Sequence, residues 1–263
     1  MINIVFIYRM KTVFKIILIY LAIQLPVAFA AEIYSSILSH SGAESILPVL
    51  LAMLVSNILT LIYLWKAGYI SKERHTWSPV SASCLLLSVL ITFSAIFLLD
   101  CLLSHLTWLP DIMEQEFDVI QAHWFGIVMI TLIGPVFEEI LFRGAITKIL
   151  LKQYSPAKAI VISALLFGFI HGNPVQIIGA GCIGLLLGWI YYKTASLIPC
   201  IMIHVINNSS SVFLSKTYPD ADYLKDVTGE NSYGILLVVA LIVLAGAYWS
   251  LKKQQSSINW KEE

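Results

Sequence analysis

Eight apolar runs, each closed by charged or turn-forming residues, set the pattern of this chain: 12–31, 46–65, 80–103, 123–142, 158–172, 175–192, 196–214 and 233–251. A run of about 20 apolar residues is the length of a helix that crosses the ~30 Å hydrocarbon core of a bilayer. The pattern therefore predicts an all-α fold, a polytopic membrane helix bundle of about eight transmembrane helices. One shorter segment differs in kind. Between Pro110 and Gln121, the acids Asp111, Glu114, Glu116 and Asp118 interleave with Ile112, Met113, Phe117 and Ile120, which predicts an amphipathic helix lying along the membrane interface.

Composition agrees with this pattern. Of 263 residues, 59% are apolar and 12% charged, against about 45–50% and about 25% in ordinary soluble domains. Eight spans of about 20 residues take up about 160 positions, which leaves no room for a separate soluble catalytic module. Without an internal repeat or a low-complexity linker, residues 1–263 read as a single membrane-embedded domain. Lys and Arg number 16, as do Asp and Glu. A net charge of zero offers no basic surface for phosphates, so nucleic acid is not an expected partner.

The placement of the basic residues adds an orientation. All 16 except Lys216 and Lys225 fall around the start of the first run, in or at the edge of the connections after the even-numbered runs, or after the last. By the positive-inside rule this predicts a cell (cytoplasmic) membrane protein with both termini cytoplasmic. Lys11, Lys15, the apolar run and Ala28-Phe29-Ala30 also have the form of a cleaved signal peptide. Pro26 and the apolar residues that continue past it favour an uncleaved first helix. Cys84, Cys101, Cys182 and Cys200 stand singly in or beside apolar runs, without the close pairing of a zinc or redox site, and read as small core residues.

Candidate chemistry comes from polar groups inside the runs, where each costs several kcal/mol unless it finds partners. The fourth run ends in Glu138-Glu139-Ile140-Leu141-Phe142-Arg143, the fifth in Phe167-Gly168-Phe169-Ile170-His171-Gly172-Asn173-Pro174, and the seventh contains His204-Val205-Ile206-Asn207-Asn208. Glu139 and Arg143 are spaced i,i+4 with the acid N-terminal, the favourable order for an ion pair on one helix face. Glu138 sits about 100° around the helix and is left as the candidate base. Glu138 lies 17 residues before Ser155 and His171 lies 16 after it, so an antiparallel hairpin brings them to one height. His204 and Asn208, one turn apart, fall in the same layer.

A glutamate beside an imidazole holds and deprotonates a water. A second histidine with an asparagine at i+4 supplies two donors to an oxyanion. The layer thus suits peptide hydrolysis without a covalent intermediate. Phe167 is one turn before His171 and is expected to pack under the imidazole. Asn207 is expected to face a neighbouring helix, and His40, His75, His105 and His123 carry no assigned role. Gly168, Gly172, Gly179, Gly181, Gly184 and Gly188 are expected to let helices approach closely around the cavity.

Glu138-Glu139-x-x-x-Arg143, Phe167-x-x-x-His171 and His204-x-x-x-Asn208, in this order on successive helices, resemble the three signature motifs of the CPBP family of intramembrane proteases. That family includes the CAAX prenyl endopeptidases and bacterial members, often labelled Abi, linked to bacteriocin processing and self-immunity. The resemblance covers roughly residues 120–215, the expected catalytic core. It implies an intramembrane endopeptidase acting on a membrane-associated protein or peptide. Glu138 and His171 would activate the water, His204 and Asn208 would form the oxyanion hole, and Glu139 and Arg143 would support the site.

Other readings use the same residues. Glu138, His171 and His204 are the ligand types of a catalytic zinc site, so zinc-dependent hydrolysis is the runner-up to a mechanism without cofactor. A non-catalytic immunity or peptide-binding protein would use the layer as a pocket. A transporter is disfavoured by the lack of repeat symmetry.

Overall fold

In the computed structural model, which describes residues 2–40, 46–70, 73–253 and 258–261, the chain is an all-helical bundle with no β-strand among the described residues. The helices are α1 (Ile2–His40), α2 (Leu47–Lys66), α3 (Ala82–Ser104), α4 (Glu114–Ala122), α5 (Trp124–Leu151), α6 (Pro156–Phe169), α7 (Pro174–Thr194), α8 (Leu197–Thr217), α9 (Leu224–Thr228) and α10 (Glu230–Lys253). Among the described residues, seven helices are long and apolar enough to cross a membrane: α1, α2, α3, α5, α7, α8 and α10. The protein is a multi-pass membrane protein.

The eighth expected span, 158–172, forms as the shorter α6, with 14 residues. At 1.5 Å per residue it reaches only about 21 Å, less than the ~30 Å of a full crossing. Its end is set by chain chemistry. His171 N–H closes onto the Gly168 carbonyl at 3.1 Å in a tightened last turn. Gly172 then adopts φ +69°, a left-handed conformation that glycine takes without strain. Asn173 caps α7, and Pro174 occupies its first turn, where its missing N–H costs nothing. The chain therefore reverses at His171-Gly172-Asn173 after a helix shorter than a full crossing.

Helix α8 is the centre of the bundle. It packs on α3, α5 and α7, while α6 and α7 form a close hairpin, α10 lies along α3, and α1 pairs with α2. Polar glue holds the α1–α2 pair, with Gln24 Nε2 donating to Asn57 Oδ1 at 3.0 Å and Ser56 Oγ to Gln24 Oε1 at 2.6 Å. The amphipathic helix expected between 110 and 121 is α4, which buries no residue and leaves Val119 exposed, as is Ile112 just before it. Cys84 and Cys200 are buried and Cys101 is half-buried, but Cys182 is exposed, so the core reading fails for that thiol. It lies on the outer face of α7, away from the helices that cover the other face.

The expected glycine contacts are realised in part. A Cβ at Gly168 would stand 2.6 Å from the Ile177 carbonyl oxygen, one at Gly184 3.1 Å from Ala164 Cα and one at Gly188 3.2 Å from Ile160, so α6 and α7 touch through these three positions. Gly179 and Gly181 have room for a side chain, and Gly172 serves the turn instead. Gly168→Ala must push backbone against backbone. It is expected to cost about 1–3 kcal/mol, read as a lower thermal unfolding midpoint in detergent micelles, whereas Gly181→Ala should leave the midpoint unchanged.

Candidate functional site

The long helix α5 is not a regular α-helix. Met129–Ile133 and Ile140–Thr147 are π-helical, and the α-helical segment Gly134–Glu139 between them carries both glutamates. Such wide turns are rare and often mark functional sites. Pro135 explains part of the first distortion. Gly134 N–H bonds back to the Met129 carbonyl, five residues away, and the next amide in that register would serve the Ile130 carbonyl. That position is Pro135, which has no N–H. The Ile130 carbonyl is thereby open to a side chain, and Asn208 Nδ2 donates to it at 2.9 Å from α8.

At the buried end of the layer, Glu139 is the hub. Its Oε1 accepts from Arg143 Nη1 at 2.8 Å and from His204 Nδ1 at 2.8 Å. Glu139 and Arg143 are wholly buried and His204 nearly so. The i,i+4 pair forms as the spacing predicts. The bond from Glu139 to His204 was not anticipated, because Arg143 alone satisfied the pattern rules for Glu139. The signal was the histidine itself, at matching depth on a helix that had to face the carboxylate. Arg143 Nη2 further donates to the Gly184 carbonyl at 3.2 Å, which ties α5 to α7 where glycine keeps the backbones close. Its guanidinium lies 4.6 Å from the centre of the Phe167 ring.

Glu138 points elsewhere, as its position on the helix requires. Its side chain is a quarter exposed, but its Oε2 is buried, 3.7 Å from His204 Nε2. That oxygen has no hydrogen-bond partner among the described residues. Tyr20 of α1 stacks on the neighbouring Phe137, with ring centres 6.0 Å apart, and stands within electrostatic reach of Glu138.

Phe167 does more than pack under one imidazole. Its ring meets His171 edge-on at 5.0 Å and His204 edge-on at 5.7 Å, so it is the wall that both histidines share. His171 Nδ1 lies 2.7 Å from the Phe167 carbonyl. A carbonyl only accepts, so Nδ1 carries a proton, and in the neutral ring Nε2 keeps the lone pair. His171 therefore caps its own helix and still presents a basic nitrogen. Between His171 and Glu138 there is no direct hydrogen bond or ion pair among the described residues. Asn207 donates from Nδ2 to the adjacent Asn208 Oδ1 at 3.2 Å rather than to a neighbouring helix. Asn208 thus keeps one N–H uncommitted.

The layer divides by exposure. Glu139, Arg143, Phe167 and His204 are buried, while Glu138, His171 and Asn208 are half-buried. No group of three His, Cys, Asp or Glu side chains among the described residues is arranged to hold a metal ion. Glu138, His171 and His204 accordingly form no ready-made ligand set.

Residues 120–210 match the family described as type II CAAX prenyl endopeptidase Rce1-like. The likeness is confined to this segment. The segment contains every residue of the polar layer, and the CPBP resemblance of the three motifs falls within it. The chain is also similar to "Putative membrane peptidase YdiL" of Bacillus subtilis (strain 168), at 29% identity over 108 residues. That match covers 41% of this chain and 44% of the relative, so the chain spans less than half of the relative's length. No solved structure matches the chain.

Proposed function

We propose that this protein is a membrane-embedded endopeptidase that hydrolyses a peptide bond of a membrane-associated protein or peptide, of the CAAX type or in peptide processing, with residues 120–215 as its catalytic core. The observation that carries the reading is the pair of glutamates on one histidine: Glu139 holds Nδ1 of His204 while Glu138 faces Nε2 with an unbonded oxygen. Glu138 takes a proton from water, and His171 Nε2 holds that water on its other side. The water oxygen attacks the carbonyl carbon, and charge develops on the carbonyl oxygen. The uncommitted N–H of Asn208 stabilises that oxyanion, joined by the Nε2–H of His204 when that ring carries both protons. The C–N bond then breaks, and the proton carried by Glu138 passes to the leaving amine.

The burial pattern fits this division of labour. Groups that must meet water or substrate are half-buried, and groups that orient them are enclosed. The basic residues support a cytoplasmic membrane with both termini inside, and membrane lipid is the expected surroundings of the substrate.

The test is proteolysis by the full chain in liposomes, presented with a prenylated CAAX peptide, the same peptide without its lipid, and a set of membrane-tethered peptides. One endoproteolytic cut, unaffected by a strong chelator, is expected. Inhibition by chelator that added zinc reverses would overturn the cofactor-free mechanism. A folded protein that cuts nothing in the set would overturn the peptidase reading.

A further inference from the structure

The turn that carries His171 is held from outside the three motifs. Asn173 is wholly buried, two residues past the histidine. Both ends of its amide are used on one loop, the connection between α3 and α4: Nδ2 donates to Asp111 Oδ1 at 2.8 Å, and Oδ1 accepts from the Ile112 N–H at 3.2 Å. Asp111 Oδ1 also accepts from the Met113 N–H at 3.1 Å, which fixes the loop's own shape. The Asn173 carbonyl meanwhile accepts the Ile177 N–H at 2.8 Å, so the same residue starts α7.

The α6–α7 turn, with its left-handed Gly172, ends a helix too short to cross the membrane. Its position relative to Glu138 on α5 matters because no direct bond joins His171 to Glu138, and a bridging water tolerates errors of only about 0.5 Å. We propose that Asn173 is a positioning residue: with Asp111 and Ile112 it straps the α3–α4 loop over the α6–α7 turn and sets the distance between His171 and Glu138. This rests on the hydrolytic reading of the layer. The strap itself is independent of that reading, and so is one arm of its test.

Asn173→Asp keeps the bond from Ile112 N–H but sets two carboxylates against each other. Asp111→Asn restores a donor opposite the new acid once the amide turns to keep its oxygen on the Met113 N–H. The double variant Asn173→Asp/Asp111→Asn therefore rebuilds the strap with donor and acceptor exchanged. On a peptide that the wild type cleaves, Asn173→Asp should lower kcat about 100-fold with KM within a factor of three, as expected for a misplaced reacting group. The double variant should recover to within about fivefold of wild type. A second readout needs no activity. Carbethoxylation of His171 by diethyl pyrocarbonate, located by mass spectrometry on the full chain in liposomes, should quicken several-fold in Asn173→Asp and return to the wild-type rate in the double variant.

If the chain cuts no peptide but the modification rates follow this pattern, the strap stands and only the hydrolytic reading falls. A double variant that stays as slow as Asn173→Asp, or a His171 modification rate indifferent to both substitutions, would overturn the positioning role. An equal loss of kcat and of thermal midpoint in both variants would also overturn it.

Discussion

Glu139→Ala is expected to unfold this protein or leave it barely folded. The substitution strands a wholly buried guanidinium and the Nδ1–H of His204, which both end on Glu139 Oε1. Removing one partner of a buried pair costs about 3–5 kcal/mol, because the other charge stays behind without compensation. The remaining bond from Arg143 to the Gly184 carbonyl does not offset that cost. Glu139→Gln separates folding from chemistry. Its amide oxygen still accepts from both donors but supplies no counter-charge to Arg143, so the fold should be weaker than wild type and stronger than Glu139→Ala, while the carboxylate that orients His204 is gone. Turnover should then fall about 10²–10⁴-fold, the range for losing an oriented proton-handling group. Thermal unfolding beside peptidase kinetics on the two variants checks both halves. Normal turnover in a folded Glu139→Gln would make the contact to His204 incidental.

Phe167→Ala is the second large effect. The ring is almost wholly buried and touches Phe142 at 4.9 Å between centres, the Arg143 guanidinium, His171 and His204. Its loss leaves a cavity where two helices and two imidazoles meet, at a cost of about 3–5 kcal/mol. Phe167→Leu refills most of the volume. It should return most of the stability while activity stays low, because leucine offers no flat wall for two edge-on imidazoles. Equal recovery of stability and turnover in Phe167→Leu would reduce the ring to filler.

These contacts show how far the amino-acid pattern reaches. The spans were legible because a bilayer demands length and hydropathy, which a single chain displays. The i,i+4 bond of Glu139 and Arg143 was legible because helical spacing is local. The meeting of α5, α6 and α8 followed from depth alone, and Phe167 brings His171 and His204 to one ring as that arithmetic anticipates. What the pattern hid was non-local or irregular. The shortness of α6 depends on the left-handed Gly172, and a glycine inside an apolar run does not declare its φ. The two π-helical stretches of α5 break the 3.6-residue period on which face arguments rest. The partner of Asn208 follows from Pro135 only once the π register is known. Nothing local marks Asn173, because its partners, Asp111 and Ile112, lie some sixty residues earlier in the chain.

The central claim is that Glu138 activates the water that cleaves the peptide. The most direct test is kcat for Glu138→Gln beside wild type, on one peptide, with thermal unfolding measured on the same samples. Glu138 is a quarter exposed, and its Oε2 has no hydrogen-bond partner among the described residues, so the amide should leave the unfolding midpoint unchanged or raise it. The account predicts a loss of about 10²–10⁴-fold in kcat in a protein as stable as wild type. A folded Glu138→Gln that cleaves at the wild-type rate would contradict it.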